Sequence, residues 1–160
     1  MEQKWTRQYQ TILSFNTKER QLTVAFANGD TVTIPCTQLL PPAITKVTWE
    51  RARLAADGFS VAIPAEPRTL EVSWSVIRNL TDEDFARHMA EVAAEQARYI
   101  GKRIRELRER RELTQAKVAS LTGIEQPNIS RIENGVFDVS TSTLGKILRV
   151  MGFSARDLAA

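Results

Sequence analysis

Residues 113–135, LTQAKVASLTGIEQPNISRIENG, hold two short helical patterns around one glycine, leaving room between them only for a tight turn. Thr114 stands where a hydroxyl caps a helix over QAKVASLTG, and Gly123 stands where such a helix stops. Val118, Ala119 and Leu121 are predicted to face inward, and Ile124 to anchor the turn. The second pattern, QPNISRIEN, carries Pro127 in its first turn, where a missing N–H costs nothing. Ile129 and Ile132 then face a core, Gly135 closes the helix, and Gln126, Asn128 and Arg131 must point outward. A small residue at the contact, a glycine turn and a polar outer face make a helix-turn-helix pattern.

Upstream, Ile100, Ile104 and Leu107 form the apolar stripe of a preceding helix. Its other faces carry Arg98, Lys102, Arg103, Arg105, Arg110 and Arg111, with Arg103, Arg105 and Arg110 expected to pair with Glu106, Glu109 and Glu112. Thr81 followed by Asp82, Glu83 and Asp84 reads as a capped helix start, after which Phe85, Met89, Val92, Ala93 and Gln96 keep helical spacing. Residues 82–111 contain no proline, so they form either one helix of about 30 residues, ~45 Å long, or two meeting near Tyr99 to Gly101. Charge divides along the chain. Residues 98–160 hold twelve Lys and Arg against seven Asp and Glu, whereas residues 81–97 hold one arginine against five acids. Such a basic region suits phosphate, and equally a solvated helix face.

The N-terminal half reads as strands. QLTVAFANGDTVTIP puts Leu22, Val24 and Phe26 on one face, turns at Asn28-Gly29 with positive φ expected at both, and resumes alternation at Val32 and Ile34. YQTILSF is a third strand candidate, joined through NTKER, while Pro35, Pro41 and Pro42 end the sheet or mark its edge. KVTWERARL and GFSVAIP are further strand candidates, and SWSVIRNL a short helix.

A chain of 160 residues with 42% hydrophobic content suffices for one ordinary domain or two small ones. Its opening, MEQKWTRQYQ, lacks the apolar stretch of a secretory signal, and no window approaches a membrane span, so the expectation is a cytoplasmic protein with no membrane partner. Cys36 is the only cysteine and His88 the only histidine, so no metal site of ordinary Cys and His ligands is expected. No phosphate-binding glycine loop or Ser-His-Asp set is evident, which argues against an enzyme; no catalytic residue and no cofactor are assigned. Cys36 reads as a small hydrophobe, and Trp5, Trp49 and Trp74 as core or interface residues.

IGKRIRELRERRELTQAKVASLTGIEQPNISRIENG followed by STLGKILRVMGFS resembles the lambda-repressor-like, or XRE-type, DNA-binding domain over roughly residues 99–154. The resemblance implies five helices that work as a dimer; with the strand-rich front part this gives an α+β chain with a β-rich domain at 1–80, a connecting helix at 81–98 and an all-α, five-helix domain at 99–160. It implies base reading by Gln126, Pro127, Asn128 and Arg131 from helix 126–134, with Gln126 suited to adenine and Arg131 to guanine. It implies backbone contacts from Thr114, Gln115, Lys117, Asn134, Thr141 and Ser142, with Gln115 also bracing its neighbour, and a structural ion pair between Arg108 and Glu133. Two departures stand out. Pro127 offers no donor and is left an apolar contact such as a thymine methyl, and Asp138 sits where the loop nears phosphate.

FANGDTVTIPCTQLLPP and SWSVIRNLTDEDF resemble a family of small bacterial β-rich domains sometimes fused to this DNA-binding type. The leading expectation is a sequence-specific transcription regulator, a dimeric repressor whose partner is double-stranded DNA. The alternative is an antitoxin-like protein that binds a protein partner through its N-terminal domain and autoregulates its operon.

Overall fold

The computed structural model describes residues 4–137 and 139–158, and the chain divides into two compact units, Met1–Arg87 and His88–Ala160. The architecture is α+β, with antiparallel sheets followed by helices. Among the described residues no helix is long and apolar enough to cross a membrane.

The first unit opens with a single helical turn, α1 (Arg7–Gln10), followed by β1 (Ile12–Lys18), β2 (Gln21–Phe26) and β3 (Thr31–Pro35), which form a sheet in the order β1-β2-β3. β4 (Arg53–Leu54), β5 (Ser60–Ile63) and β6 (Leu70–Ser73) form a second antiparallel sheet, and α2 (Trp74–Thr81) follows. Alternation places Leu22, Val24 and Phe26 in a core completed by Ile34, Val61, Ile63, Val72 and Ile77. Both sheets and α2 thus feed one apolar cluster.

Tyr9 and Gln10 belong to α1, not to a strand, because Thr11 closes that turn on the Arg7 carbonyl. At Asn28-Gly29 only Gly29 has positive φ, at 95°, and the connection is a four-residue loop in which the Phe26 N–H donates to the Asp30 carbonyl. The two-residue turn with both φ positive lies instead at Glu19-Arg20, at 53° and 61°. Within KVTWERARL, Trp49–Arg51 is a 3-10 turn and only Arg53–Leu54 pairs as strand. β6 was not foreseen; it pairs with β5 from Leu70 opposite Ile63 to Ser73 opposite Ser60.

Arg78 explains much of this rearrangement. Its guanidinium is buried between the rings of Tyr9 and Phe26, 3.7 and 3.8 Å from their centroids. It donates to the Tyr9 carbonyl at 2.9 and 3.2 Å, to Asp30 at 2.7 Å and to Asn28 Oδ1 at 3.1 Å. α1 and the 27–30 loop therefore take the shapes that surround a buried cation, which is tolerable only when paired and hydrogen-bonded.

α3 (Glu83–Arg110) is one unbroken helix, which resolves the choice between one helix and two. Its cap is Asp82 rather than Thr81: Asp82 Oδ1 accepts from the Phe85 N–H at 3.0 Å, while the Thr81 hydroxyl donates back to the Ile77 carbonyl within α2. The first turn of α3 belongs to the first unit because Phe85 is buried there against Trp5, Tyr9 and Trp74. The rest of α3 joins α4 (Gln115–Thr122), α5 (Gln126–Glu133), α6 (Thr141–Val150) and a closing 3-10 turn, Ala155–Leu158, around Ile104, Leu107, Val118, Ile129, Ile132, Ile147 and Leu148. Each such side chain contributes roughly 1.5–3 kcal/mol of transfer free energy.

α3 and α5 approach very closely. A β-carbon on Gly101 would overlap the Ile132 carbonyl oxygen and lie 2.9 Å from that of Glu133, so only glycine fits.

Candidate nucleic-acid interface

α4 begins as its sequence dictates. Thr114 has extended backbone and its hydroxyl oxygen accepts from the Lys117 N–H at 3.1 Å. Gly123 ends the helix in the left-handed region at φ 68°, its N–H donating to the Ala119 carbonyl at 2.8 Å. The inward face is Val118, Ala119 and Thr122 rather than Val118, Ala119 and Leu121. With about 100° between successive residues, Leu121 falls outside the arc those three define, and it is exposed. Thr122 enters the core because its hydroxyl donates to the Val118 carbonyl at 2.8 Å, removing the cost of burying it.

α5 follows after a three-residue turn, Gly123 to Glu125. Ile129 and Ile132 are buried, so Gln126, Pro127 and Arg131 are exposed and Asn128 half-buried. The Arg131 guanidinium lies 3.5 Å from Asn128 Oδ1. These four side chains share the outward surface of one short helix, an arrangement able to enter a DNA groove.

Behind that surface lies a chain of polar contacts. Glu133 is buried, and its carboxylate accepts from Arg108 Nε at 2.6 Å and Arg108 Nη2 at 3.0 Å. This contact holds the Arg108 guanidinium pKa above its ordinary value. Gln115 Nε2 donates to the same carboxylate at 2.9 Å, and Gln126 Nε2 donates to Gln115 Oε1 at 2.9 Å. An exposed amide on α5 is thus tied, through α4, to an ion pair between α3 and the end of α5.

Arg105 does not pair with Glu109. Its Nη2 donates to Asn134 Oδ1 at 2.6 Å, and its Nε stands 3.6 Å from Glu133. The reason is geometric: Arg105 lies one helical turn from Gly101, where α3 meets the end of α5. Asn134 Nδ2 in turn donates to the Ser130 carbonyl at 2.9 Å, so both ends of its amide are engaged within the domain. Arg103 pairs with Glu106 at 2.6 Å, as a one-turn spacing allows.

Thr114, Gln115 and Lys117 gather at the start of α4, and Thr141 and Ser142 at the start of α6, where Ser140 caps by accepting from the Thr143 N–H at 3.2 Å. First-turn amides lack intrahelical acceptors and carry the positive end of the helix dipole, a combination suited to phosphate. Asp138 lies outside the described residues.

The family described as helix-turn-helix domain matches residues 100–160. Residues 100–160 form a helix-turn-helix domain. The chain is 39% identical over 59 residues to antitoxin PezA of Streptococcus pneumoniae serotype 4, a stretch that covers 37% of each protein. This chain therefore spans little more than a third of that curated relative's length. The restriction-modification controller protein C.AhdI of Aeromonas hydrophila has a solved structure that aligns at 28% identity and a TM-score of 0.39, covering 40% of this chain and 97% of that one.

Sequence reasoning overlooked two features of this helix-turn-helix domain and left a third without its partner. The resemblance implies that Gln115 braces a neighbour, but that the neighbour is Gln126, eleven positions away, has no local signature. The Arg105 to Asn134 bond is hidden because arginine has acids available one turn away. Val136 and Phe137 are exposed apolar residues beside the end of α5; the pair VF after ENG was a visible signal for them.

Proposed function

We propose that this protein is a sequence-specific DNA-binding regulator of transcription, a homodimeric repressor that places α5 in the major groove. One observation carries the reading: the exposed Gln126 amide is held by Gln115, itself held by the buried Glu133–Arg108 pair. A solvated glutamine needs no such support; a base-reading one benefits from it, because lost side-chain freedom is then not charged against binding. Gln126, Pro127, Asn128 and Arg131 are the base-contacting set, and Thr114, Gln115, Lys117, Thr141 and Ser142 the phosphate-contacting set. Asn134 contributes by positioning, since its amide is committed to Arg105 and Ser130. Residues 1–80 form the partner or sensing domain and 81–98 the connector, and the protein works in the cytoplasm, where its DNA is.

The test is selection of bound sequences from a random pool at about 0.15 M salt, with Gln126→Ala as the comparison. An enriched palindrome with half-sites about 34 Å apart supports a dimeric reader. Gln126→Ala should weaken the selected site by roughly 1–3 kcal/mol and random DNA little; equal losses on both would remove the base-reading role.

A second reading is favoured by the relative's name. As an antitoxin-like protein, the chain would bind a protein partner through residues 1–80 and use the C-terminal domain for autoregulation. A second chain that co-purifies with residues 1–80 in place supports it; DNA selection succeeding with no such chain disfavours it.

A further inference from the structure

Within the second unit, α3 presents an apolar face that the other helices leave open. Met89, Val92, Gln96 and Tyr99 follow spacings of three and four residues and so lie on one stripe, with Met89 41% and Tyr99 54% exposed. Beside it, Ala93, Ala97 and Ile100 face Val136 and Phe137 across a groove of about 330 Å³. Val136 is 77% and Phe137 51% exposed. Single exposed apolar residues are ordinary; a contiguous set containing two aromatics marks a contact surface.

Charge identifies the occupant. Within α3, residues 83–97 hold four acids against one arginine, and residues 98–110 hold six Lys and Arg against two acids, so the helix is acidic in its first half and basic in its second. A parallel copy would set like against like. An antiparallel copy sets each half against its opposite. Along the flank of the stripe, Glu91, Glu95, Arg98 and Lys102 are all exposed. A twofold axis between Gln96 and Ala97 brings Glu91 onto Lys102 and Glu95 onto Arg98, and repeats both contacts by symmetry. Within one helix, Glu91 and Glu95 repel one turn apart, as do Arg98 and Lys102; the opposing chain relieves both.

We propose that α3 is the homodimer interface, pairing antiparallel with α3 of a second copy about an axis between Gln96 and Ala97. The contact is isologous, so it closes at two chains. This rests on the reading of the protein as a dimeric regulator and names the face that makes the dimer.

The test is sedimentation equilibrium of the full chain without DNA, alongside Glu91→Lys/Glu95→Lys and Arg98→Glu/Lys102→Glu, each checked for helix content by circular dichroism. Wild type should dimerise at micromolar concentration. Each reversed chain alone should self-associate about tenfold or more weakly, and an equimolar mixture of the two should regain wild-type affinity. Where a reversed chain loses helix content, Phe137→Ser probes the same face from the loop and should weaken the dimer. A wild-type monomer at about 100 μM, reversed chains that dimerise as before, or a mixture that regains nothing overturns the proposal, as does an undisturbed dimer in the Phe137→Ser case. Because no DNA is present, failure here is separate from failure of the sequence selection.

Discussion

Replacing Arg108 by methionine removes the partner of a carboxylate with no side-chain exposure of its own. Glu133 would keep Gln115 at 2.9 Å and Arg105 at 3.6 Å but lose both short guanidinium bonds. Breaking a buried pair from one side costs roughly 3–5 kcal/mol. Arg105 offsets part of that and Arg108 is itself slightly exposed, so the lower end, about 3 kcal/mol, is expected. For a unit of this size that is a fall of roughly 12–24 °C in Tm. The two units report separately: Trp5, Trp49 and Trp74 all lie in the first, and the second is helical. Circular dichroism at the helix band should therefore shift far more than tryptophan fluorescence. Arg108→Met/Glu133→Leu should recover most of the loss, because no unpaired charge remains. A helix-band Tm within about 3 °C of wild type for the single variant, or a double variant no better than the single, would refute the reasoning.

Gly101→Ala gains up to about 1 kcal/mol of helix propensity but drives a methyl into the Ile132 carbonyl, and overpacking against backbone costs roughly 1–3 kcal/mol. The net result is a lower helix-band Tm, and a stabilised protein would show that α3 and α5 do not meet there. Acid should loosen the first unit. Hydrogen bonds from Asn28 and then Arg78 hold the Asp30 carboxyl below its ordinary range, and those from Tyr9 and the Phe85 N–H do the same for Asp82. Both pKa values are depressed on folding, so their stabilisation is complete above the unfolded value of about 3.9 and drains as pH falls through the folded values. Urea midpoints followed by tryptophan fluorescence should be level from pH 7 to 5 and fall toward pH 3; a flat profile would count against these contacts.

The helix-turn-helix was legible because its determinants are local. A hydroxyl at Thr114, a left-handed Gly123 and the pair Ile129 and Ile132 act within one or two turns of chain, and the XRE-type pattern extends them. Leu121 reads as inward on hydrophobicity although its angle on the helix turns it out, and Thr122 gives no sign of burial because its internal hydroxyl bond is invisible in composition. The N-terminal unit was harder. Phe26, Tyr9 and Arg78 are distant in sequence, yet their stacking sets α1 and the 27–30 loop. β6 escaped because Leu70 to Ser73 is too short to show alternation before α2 begins. α3 was open between one helix and two because Gly101 reads as a break; its role is to let another backbone in.

The bond from Gln126 to Gln115 has one further consequence. A carboxamide is a reversible label, able to show its oxygen and nitrogen in either order, and adenine demands one order. With Nε2 already donating to Gln115, the Gln126 oxygen is turned the other way, and a second N–H is left over beside it. Under the proposed reading, the protein chooses the sense of this letter before any DNA arrives. A purine on the opposite strand would meet the same two groups in reversed order, so orientation along the site is written into α4 as much as into α5.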